Sequence, residues 1–441
     1  MRKIAFLSLI ALSFASGAWA QGLDNPAENA SLSNGFVRVG EFRNNVRNNV
    51  GAASFIFPHE DKLVTGLHSS VSADEFLGGL KPVNSYYSQI NYNLVSYGWK
   101  GGSGAYHTVE IGTRANYGLS LPKEIFHILK TGTSQSPYDL SALKAFGNAY
   151  GEIAYSYSRR LTDNLAVGGR LKLLAGLNSV DMVVRKFDFT TTDEQYAIDI
   201  DADIDLTNRN KKIRTDDEGY LNYSSFSGKG KLGTPSGAGL AMDLGVVWKP
   251  FHGFSVSASV TDMGGILWYY GNGGKSSGSY VFEGLEDLST DEMDEETILS
   301  KIKAAGEELL AVIKPKAVDK HWKPKALPLC AGMKASYALP FFEMLSVDCS
   351  GLYTGYEFCA PYWEARGGLS LDIPGRAHLG LDAGSGSYGF VYGIHGSVEF
   401  LSFKLFATFE NGVGGVIPYE NTPLKANNKL FSIGLTYILK N

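Results

Sequence analysis

The sequence predicts an all-β fold: a transmembrane antiparallel outer-membrane β-barrel of about 14 strands, within a range of about 12–16, with short helices in its loops. Three observations lead to this prediction: period-two alternation over long segments, alternating short and long connections, and composition. The 441 residues include 52 Gly, 24 Tyr and 24 Phe, and the mean hydropathy is only −0.08. Only one face of a barrel strand meets lipid, and aromatic girdles mark both interfaces, so this composition is typical of such a barrel.

The alternation places charged residues on one face of each predicted strand. From Tyr106 to Leu119 one parity is polar and the other is mostly apolar, which suits a wall between a wet lumen and lipid. A soluble β-sandwich also alternates, but its strands average about five or six residues. The charged side chains that this pattern assigns to the lumen are Glu110, Arg114, Arg170, Lys172, Glu364 and Arg366. We expect them to form ion pairs, with a selectivity ring as the alternative.

Connection lengths divide the chain further. Short turns occur at 100–104, 161–164, 250–253, 340–342 and 374–376, between long loops at about 120–145, 207–237, 264–325 and 411–428. Outer-membrane barrels have short periplasmic turns and long outer loops, so the alternation agrees with the predicted fold. We expect residues 51–441 to form the barrel, with an extended hairpin at Val180–Phe189 and Tyr196–Leu206. Residues 21–50, rich in Asn, are either an N-terminal plug or a disordered lead-in.

The first twenty residues have the pattern of a secretory signal peptide. Two basic residues precede an apolar run from Ile4 to Ala15, and Ala18-Trp19-Ala20 supplies small residues for cleavage. Removal of residues 1–20 takes two positive charges from a formal net charge of −5, leaving −7. The later sequence has no apolar run long enough for a spanning helix, so we expect strands to cross the outer membrane. The acidity and scattered Lys and Arg residues argue against a nucleic-acid partner.

An acidic stripe is the most conspicuous local pattern. Its carboxylates recur at every second residue, at Asp199, Asp201, Asp203 and Asp205. On a strand they share a face with neighbours about 7 Å apart, so their repulsion must be relieved by water or cations. We interpret the stripe as a hydrated hairpin face that Lys211, Lys212 and Arg214 partly neutralise. A Ca²⁺ site is the alternative, and no other cofactor is predicted.

Two loop helices are predicted. Ser289–Ile313 has a capping box, early acidic residues and one apolar stripe. It should pack on the barrel's own loops, and a protein-binding surface is the alternative. Residues 122–130 predict a short amphipathic helix with Pro at its start, and its apolar residues should pack locally.

The sequence does not favour an enzyme. Its histidines, including His378 and His395, are isolated along the chain, and no His/Cys group has metal-ligand spacing. Catalytic groups can still assemble across strands. Cys330, Cys349 and Cys359 are compatible with one disulfide and one free thiol, and the sequence does not identify the pair.

Four short motifs carry a resemblance to a known group of proteins. They are Asn25-Pro26-Ala27, Leu121–Phe126, Ala241–Val246 and Val260–Gly264. With them the chain resembles an uncharacterised outer-membrane family of the Bacteroidota, a domain of unknown function that is similar to FadL-type and PorV-type barrels. The FadL likeness implies about fourteen strands, an N-terminal plug and passage of hydrophobic compounds. The PorV likeness implies a shuttle in a secretion system.

These observations leave three functional hypotheses in order. The first is a FadL-like barrel that passes hydrophobic or amphipathic compounds between outer-membrane lipid and its surroundings. The second is a PorV-like, non-transporting scaffold or secretion partner that binds protein through helix 289–313. The third is an outer-membrane enzyme. A lateral gap or a strand kink beside an apolar pocket would favour transport, whereas a plugged lumen with a large exposed apolar loop patch would favour a scaffold. A His that converges with a carboxylate or a nucleophile at the rim would favour an enzyme.

Overall fold

The computed structural model describes residues 24–60, 62–133, 137–192, 195–208, 213–222, 235–269, 271–283, 307–309, 311–318, 322–355, 361–410 and 428–439. The signal peptide, Lys211, Lys212, Cys359 and residues 289–306 lie outside these ranges. In the described residues, no helix is long and apolar enough to cross a bilayer.

Fourteen antiparallel strands close into a barrel within the described chain, which confirms the predicted fold. They are β1 Gly35–Asn48, β2 Val83–Lys100, β3 Tyr106–Pro122, β4 Lys144–Arg160, β5 Leu165–Thr191, β6 Gly237–Trp248, β7 Phe254–Tyr269, β8 Cys330–Leu339, β9 Phe342–Thr354, β10 Tyr362–Ile373, β11 Ala377–Gly386, β12 Gly389–Phe400, β13 Phe403–Glu410 and β14 Asn428–Leu439. Each strand pairs with the next, and β1 pairs with both β2 and β14. Closure pairs the edges that a bilayer does not tolerate.

The two ends of the barrel differ as the connection lengths predict. Gly35, where β1 begins, lies opposite Leu439, where β14 ends. The predicted short turns join strands at this end, which we call the turn end. The long connections meet at the opposite end, the loop end. There the predicted short helix is present as Lys123–Thr131.

A loop-end subdomain between β1 and β2 was missed by sequence reasoning. Residues 49–82 contain the strands Ile56–His59 and Lys62–Thr65, a 3₁₀ turn Ala52–Ser54, and the helix α1, Ala73–Gly78. Helix α2, Lys123–Thr131, packs on it through Phe126, whose ring lies 5.4 Å from Phe55 and 6.0 Å from Phe76. Within the described part of residues 49–82, the chain is therefore a loop-end connection between β1 and β2 and adds no strand to the barrel wall.

The expected plug or lead-in at residues 21–50 is divided by the structure. Residues 24–34 lie inside the barrel, with a 3₁₀ helix Pro26–Ser31, whereas Gly35–Asn48 is the wall strand β1. A β-bulge between Val39 and Phe42, with Gly40 at φ 69°, shifts the inward-facing parity within β1. That shift hides the alternation by which a strand is recognised in the sequence.

A sheet continues beyond the barrel at the loop end. The upper part of β5 pairs with the strand Tyr196–Thr207, as the predicted extended hairpin requires. Next to it lie the strands Gly271–Phe282 and Lys316–Val318. The predicted loop 264–325 is therefore wrong in two respects: β7 continues to Tyr269, and part of the connection is paired strand. Further short strands are Tyr138–Asp139, Arg214–Thr215, Leu221–Asn222 and Trp322–Ala326.

Candidate functional site

The N-terminal segment is anchored to the inner face of the barrel wall. The side-chain amide of Asn25 donates to the carbonyl oxygen of Val246 on β6 at 3.0 Å and to that of Ala258 on β7 at 3.2 Å. Its side-chain oxygen accepts from the Ala27 N–H at 2.9 Å, which caps the following helical turn. Asn25 therefore both starts the turn and fixes it to two strands.

Two wall glycines make room for this segment. A Cβ at Gly168 on β5 would lie 2.5 Å from the carbonyl carbon of Pro26. A Cβ at Gly245 on β6 would lie 1.9 Å from Asn25 Oδ1. Because neither position tolerates a side chain while the segment is docked, the Asn25-Pro26-Ala27 motif and the Ala241–Val246 motif are two sides of one contact.

A central ion cluster lies beside the segment. Lys172 Nζ is 2.8 Å from Asp243 Oδ2 and 2.7 Å from Asp262 Oδ1. Arg170 contacts Asp243 at 3.3 Å and Glu110 at 3.4 Å. The remaining members are Asp24, Arg114 and Glu152, with Arg114 and Glu152 3.1 Å apart and Asp24 3.9 Å from Arg170. The cluster thus links β3, β4, β5, β6 and β7 to the N-terminal segment across the lumen.

Asp262 occupies a β-bulge at the edge of this cluster. Its φ of 62° is left-handed, a region that non-glycine residues rarely adopt. The backbone N–H of Asp262 donates to Asp243 Oδ1 at 2.8 Å, while its carboxylate accepts from Lys172. These contacts hold the residue in its strained conformation.

A second, loop-end ion cluster joins the first strand to the last third of the wall. Arg366 reaches Glu410 at 2.9 Å, Glu364 at 3.1 Å and Asp382 at 2.7 Å. Arg47 on β1 lies 3.3 Å from Glu410. Both arginines are buried, so their charges require these partners.

Above the central ion cluster, an apolar layer lies on the inner side of β4 to β7. The inner apolar layer consists of Tyr150, Leu174, Ala241, Ile266, Trp268 and Leu327. Trp268 is only 2% exposed, and its ring lies over Gly176 and Gly237, where a Cβ would approach it to 2.6 Å and 3.1 Å. Two glycines on neighbouring strands therefore create the space for one indole.

The wall beside this layer is interrupted. β7 pairs with β8 up to Thr261 and Cys330, and with the strand Trp322–Ala326 from Gly265 onwards. Between these two ladders, residues 262–264 face residues 327–329, which include Pro328. Proline has no N–H to donate and is found at edges and bulges of sheets, so it fits a break in the ladder.

An apolar groove runs along the outer surface on the loop-end side of this interruption. It is lined by Leu173, Leu240, Leu267, Pro324, Ala326 and the backbones of Gly239 and Gly265. The side chain of Leu240 is 59% exposed and faces outward, whereas the next residue, Ala241, belongs to the inner apolar layer. One sheet thickness therefore separates the outer apolar groove from the inner apolar layer.

The turn-end half of the lumen holds a cavity of about 460 Å³ between the N-terminal segment, β1 and strands β8 to β14. Charges of both signs line it, among them Glu28, Arg43, Lys334, Asp382 and Lys404. Arg38 lies at its edge between the rings of Phe36 and Phe406, 5.4 Å and 4.9 Å from their centres. The cavity has a mixed polar and aromatic lining, unlike the inner apolar layer.

All six sequence-assigned lumen residues face inward in the structure. Glu110, Arg114, Arg170 and Lys172 lie in the central ion cluster, and Glu364 and Arg366 lie in the loop-end ion cluster. Sequence reasoning missed their partners Asp24, Arg47, Asp243 and Asp262 as site residues. Period-two parity opposite Met242 and Leu244 could have identified Asp243. Asp262 breaks the alternation because it lies in a bulge.

The acidic stripe faces basic side chains of the same sheet. Arg185 contacts Asp201 at 2.7 Å and Asp203 at 2.9 Å, Lys186 pairs with Asp199, and Lys323 with Asp205. The hydrogen bond from Arg185 holds the pKa of Asp201 below its usual value. In the described ranges, no three His, Cys, Asp or Glu residues are arranged to hold a metal ion.

Two histidines interpreted as isolated lie together near the turn end, so that interpretation is wrong. The rings of His378 and His395 are 5.3 Å apart. His378 Nδ1 is 2.6 Å from Asp372, and His395 Nε2 is 3.7 Å from Asp382. β11 and β12 pair side by side, and this brings together residues seventeen positions apart.

The described cysteines, Cys330 and Cys349, are not in a disulfide. Cys330 Sγ accepts a hydrogen bond from Thr354 at 3.6 Å.

Comparisons with known proteins give one matching family and several similar solved structures. The model of a family of unknown function, DUF5723, matches residues 28–368. No curated protein sequence matches the chain. Similar solved structures include the Ralstonia pickettii toluene transporter TbuX, with 8% identity, 97% and 96% of the two chains covered, and a TM-score of 0.46. A Pseudomonas aeruginosa FadL homologue is 10% identical, the match covers 97% of this chain and 96% of that one, and the TM-score is 0.43. The translocator domain of the Neisseria meningitidis autotransporter NalP is 8% identical, the match covers 99% of this chain and 94% of that one, and the TM-score is 0.32.

Proposed function

The chain belongs to DUF5723, a family of unknown function, and we propose that this member passes small hydrophobic or amphipathic compounds between the loop end and the bilayer through its wall. The observation that carries the proposal is the interrupted ladder between β7 and residues 322–339, with apolar surface on both sides of it. A compound leaving through the wall would exchange one apolar surrounding for another, so it would not have to enter water.

The rest of the lumen is unsuited to polar solutes. The central ion cluster and the docked N-terminal segment occupy the middle of the barrel. Buried charges that are already in ion pairs offer little attraction to a passing ion, and separating them is costly. The proposed route therefore leaves the barrel above the central ion cluster and does not pass along its axis.

Whole-cell uptake tests the proposal. The outer leaflet of a Gram-negative outer membrane resists apolar solutes, so a host strain without its own channels for such compounds gives a low background. Cells that contain the protein should import radiolabelled oleate or toluene faster than cells with an empty vector. Their permeability to a polar β-lactam should not change. Equal uptake of both apolar probes with and without the protein would refute the proposed function.

A matched pair of variants locates the route. Leu240→Gln places a polar amide in the outer groove, and Leu369→Gln places the same group on β10, where the leucine is 50% exposed and also faces outward. Both changes carry a similar membrane cost. Only Leu240→Gln should lower uptake per folded molecule, and equal loss in both variants would argue against a route through the groove.

The second candidate function is a non-transporting scaffold, and the loop-end subdomain favours it. Leu67 is 47% exposed and Leu129 is 60% exposed, and a hydrogen bond from Lys130 to the His68 carbonyl oxygen brings their segments together. An exposed apolar patch of this kind suits protein contact. Pull-down with Leu67→Ser and Leu129→Ser variants should lose a partner if the scaffold function is correct, with uptake unchanged.

We further propose that residues 1–20 act as a cleaved signal peptide for export to the outer membrane and that the protein is not an enzyme. N-terminal sequencing of the mature protein from outer-membrane fractions would find Gln21 first.

A further inference from the structure

The strand Trp322–Ala326, which we call the gate strand, separates the outer groove from the inner apolar layer. In the described chain it forms a ladder with the loop-end half of β7, from Gly265–Ala326 to Tyr269–Trp322. Its outward residues Pro324 and Ala326 line the outer groove. Leu327, next in the chain, is a member of the inner apolar layer. Displacement of the gate strand from β7 would join the outer groove to the inner apolar layer.

Two ion pairs hold the gate strand from inside the barrel. Lys325 pairs with Asp181 on β5 and also lies 2.6 Å from Ser179 Oγ. Lys323 pairs with Asp205 on the strand Tyr196–Thr207. Lys325 and Asp181 are both buried, so their separation without water would be costly. Lys325 and Lys323 are the ladder partners of Ile266 and Trp268, so both ion pairs lie at the level of the inner apolar layer and tie the gate strand to neighbouring segments there.

The gate strand is joined to β8 by a short connecting segment at its C-terminal end. Residues 327–329 make no strand ladder, although Leu327 N–H still donates to the Gly264 carbonyl oxygen at 2.9 Å. They face Asp262–Gly264, where the bulge and a glycine interrupt β7. Below this point β8 is paired on both sides, with β7 and β9. A displacement of the gate strand about residues 327–329 would therefore leave the ladders of β8 intact.

From this arrangement we propose that the gate strand is a movable gate on the route for apolar compounds, latched by Lys325–Asp181 and Lys323–Asp205. The inference rests on the proposed function. In the closed state the strand completes the wall, and its lysines hold it to Asp181 and Asp205. In the open state its ladder with β7 is broken, and water entering from the loop end solvates the released lysines and carboxylates.

A reversible lock tests the gate. Tyr269 and Trp322 are direct partners in the ladder, a spacing that suits a disulfide. In a chain with Cys330, Cys349 and Cys359 replaced by Ser, Tyr269→Cys/Trp322→Cys should lose oleate uptake on oxidation and recover it with dithiothreitol. The control lock Leu381→Cys/Ile394→Cys joins partners on β11 and β12, and it should leave uptake unchanged.

The outcomes separate the two proposals. Wild-type protein that imports neither apolar probe overturns the proposed function and the gate with it. Active wild type with an oxidised gate lock that imports normally overturns the gate alone. As a second variant, Lys325→Gln should raise uptake and hydrogen exchange at residues 322–329, whereas Lys404→Gln in the turn-end cavity should change neither. Slower exchange in Lys325→Gln would contradict the latch.

Discussion

The docking of the N-terminal segment can be tested with a single wall substitution. Gly245→Val would place a Cβ where Asn25 Oδ1 now lies, at 1.9 Å. The wall is paired on both sides at this position, whereas the segment is held by its own contacts, so the segment should move. The two hydrogen bonds from the Asn25 amide to Val246 and Ala258 would then be lost.

Their loss sets the expected magnitude. At about 1 kcal/mol for each hydrogen bond, the docked state is weakened by about 2 kcal/mol. That change raises the released population about thirtyfold, since about 1.4 kcal/mol corresponds to a factor of ten. The backbone amides of residues 24–34 should exchange with deuterium faster by about this factor.

Hydrogen exchange with mass spectrometry measures the effect in detergent or nanodiscs. The control is Gly151→Val on β4, where an added Cβ would meet no atom within 4 Å. It should leave exchange at 24–34 unchanged. Unchanged exchange in folded, heat-modifiable Gly245→Val would refute the assignment of Gly245 as the docking position.

Three further predictions concern the ion pairs and the loop end. Lys172→Met leaves Asp243 buried with one cation fewer, so it should destabilise the barrel by about 3 kcal/mol in urea unfolding from vesicles. A urea midpoint equal to that of Arg185→Met, which removes an exposed ion pair, would contradict this. The hydrogen bond from Arg185 lowers the pKa of Asp201, so the hairpin protection lost in Arg185→Met should be full at about pH 6 and should shrink as the pH falls below about 4 and through the lowered folded-state pKa; a difference independent of pH would exclude this pair as its source. Phe126→Ala removes the ring through which α2 packs on α1, which should weaken that packing by about 2 kcal/mol. Trypsin should then cleave within residues 49–82 more readily while the barrel stays heat-modifiable, and resistance to trypsin equal to wild type would show that the ring does not hold the subdomain.

The wall was predictable from the sequence because alternation is a local property. Each residue of β3 reports its face through its immediate neighbours, so Glu110 and Arg114 could be assigned to the lumen one strand at a time. The strand β1 was not predicted because Gly40 lies in a bulge, and one extra residue reverses which side chains face inward.

The ion pairs inside the lumen were harder to predict from the sequence, for a different reason. The pairing of Lys172 with Asp262, or of Arg366 with Glu410, depends on strand register and on the distance across the barrel. Neither quantity is encoded by spacing along the chain. The same holds for His378 and His395, and for the gate strand, whose Lys–Asp pairs join segments more than one hundred residues apart.

The measurement that tests the central claim most directly is quenching of Trp268 by brominated compounds. The test uses two variants in which all but one tryptophan is replaced. One retains Trp268 in the inner apolar layer, and the other retains the outward-facing Trp363, which is 51% exposed. Brominated phospholipid should quench Trp363 and not Trp268. Dibromostearate or bromobenzene should quench both, because a compound on the proposed route reaches the inner apolar layer. Quenching of Trp363 alone by both compounds would contradict passage through this part of the wall.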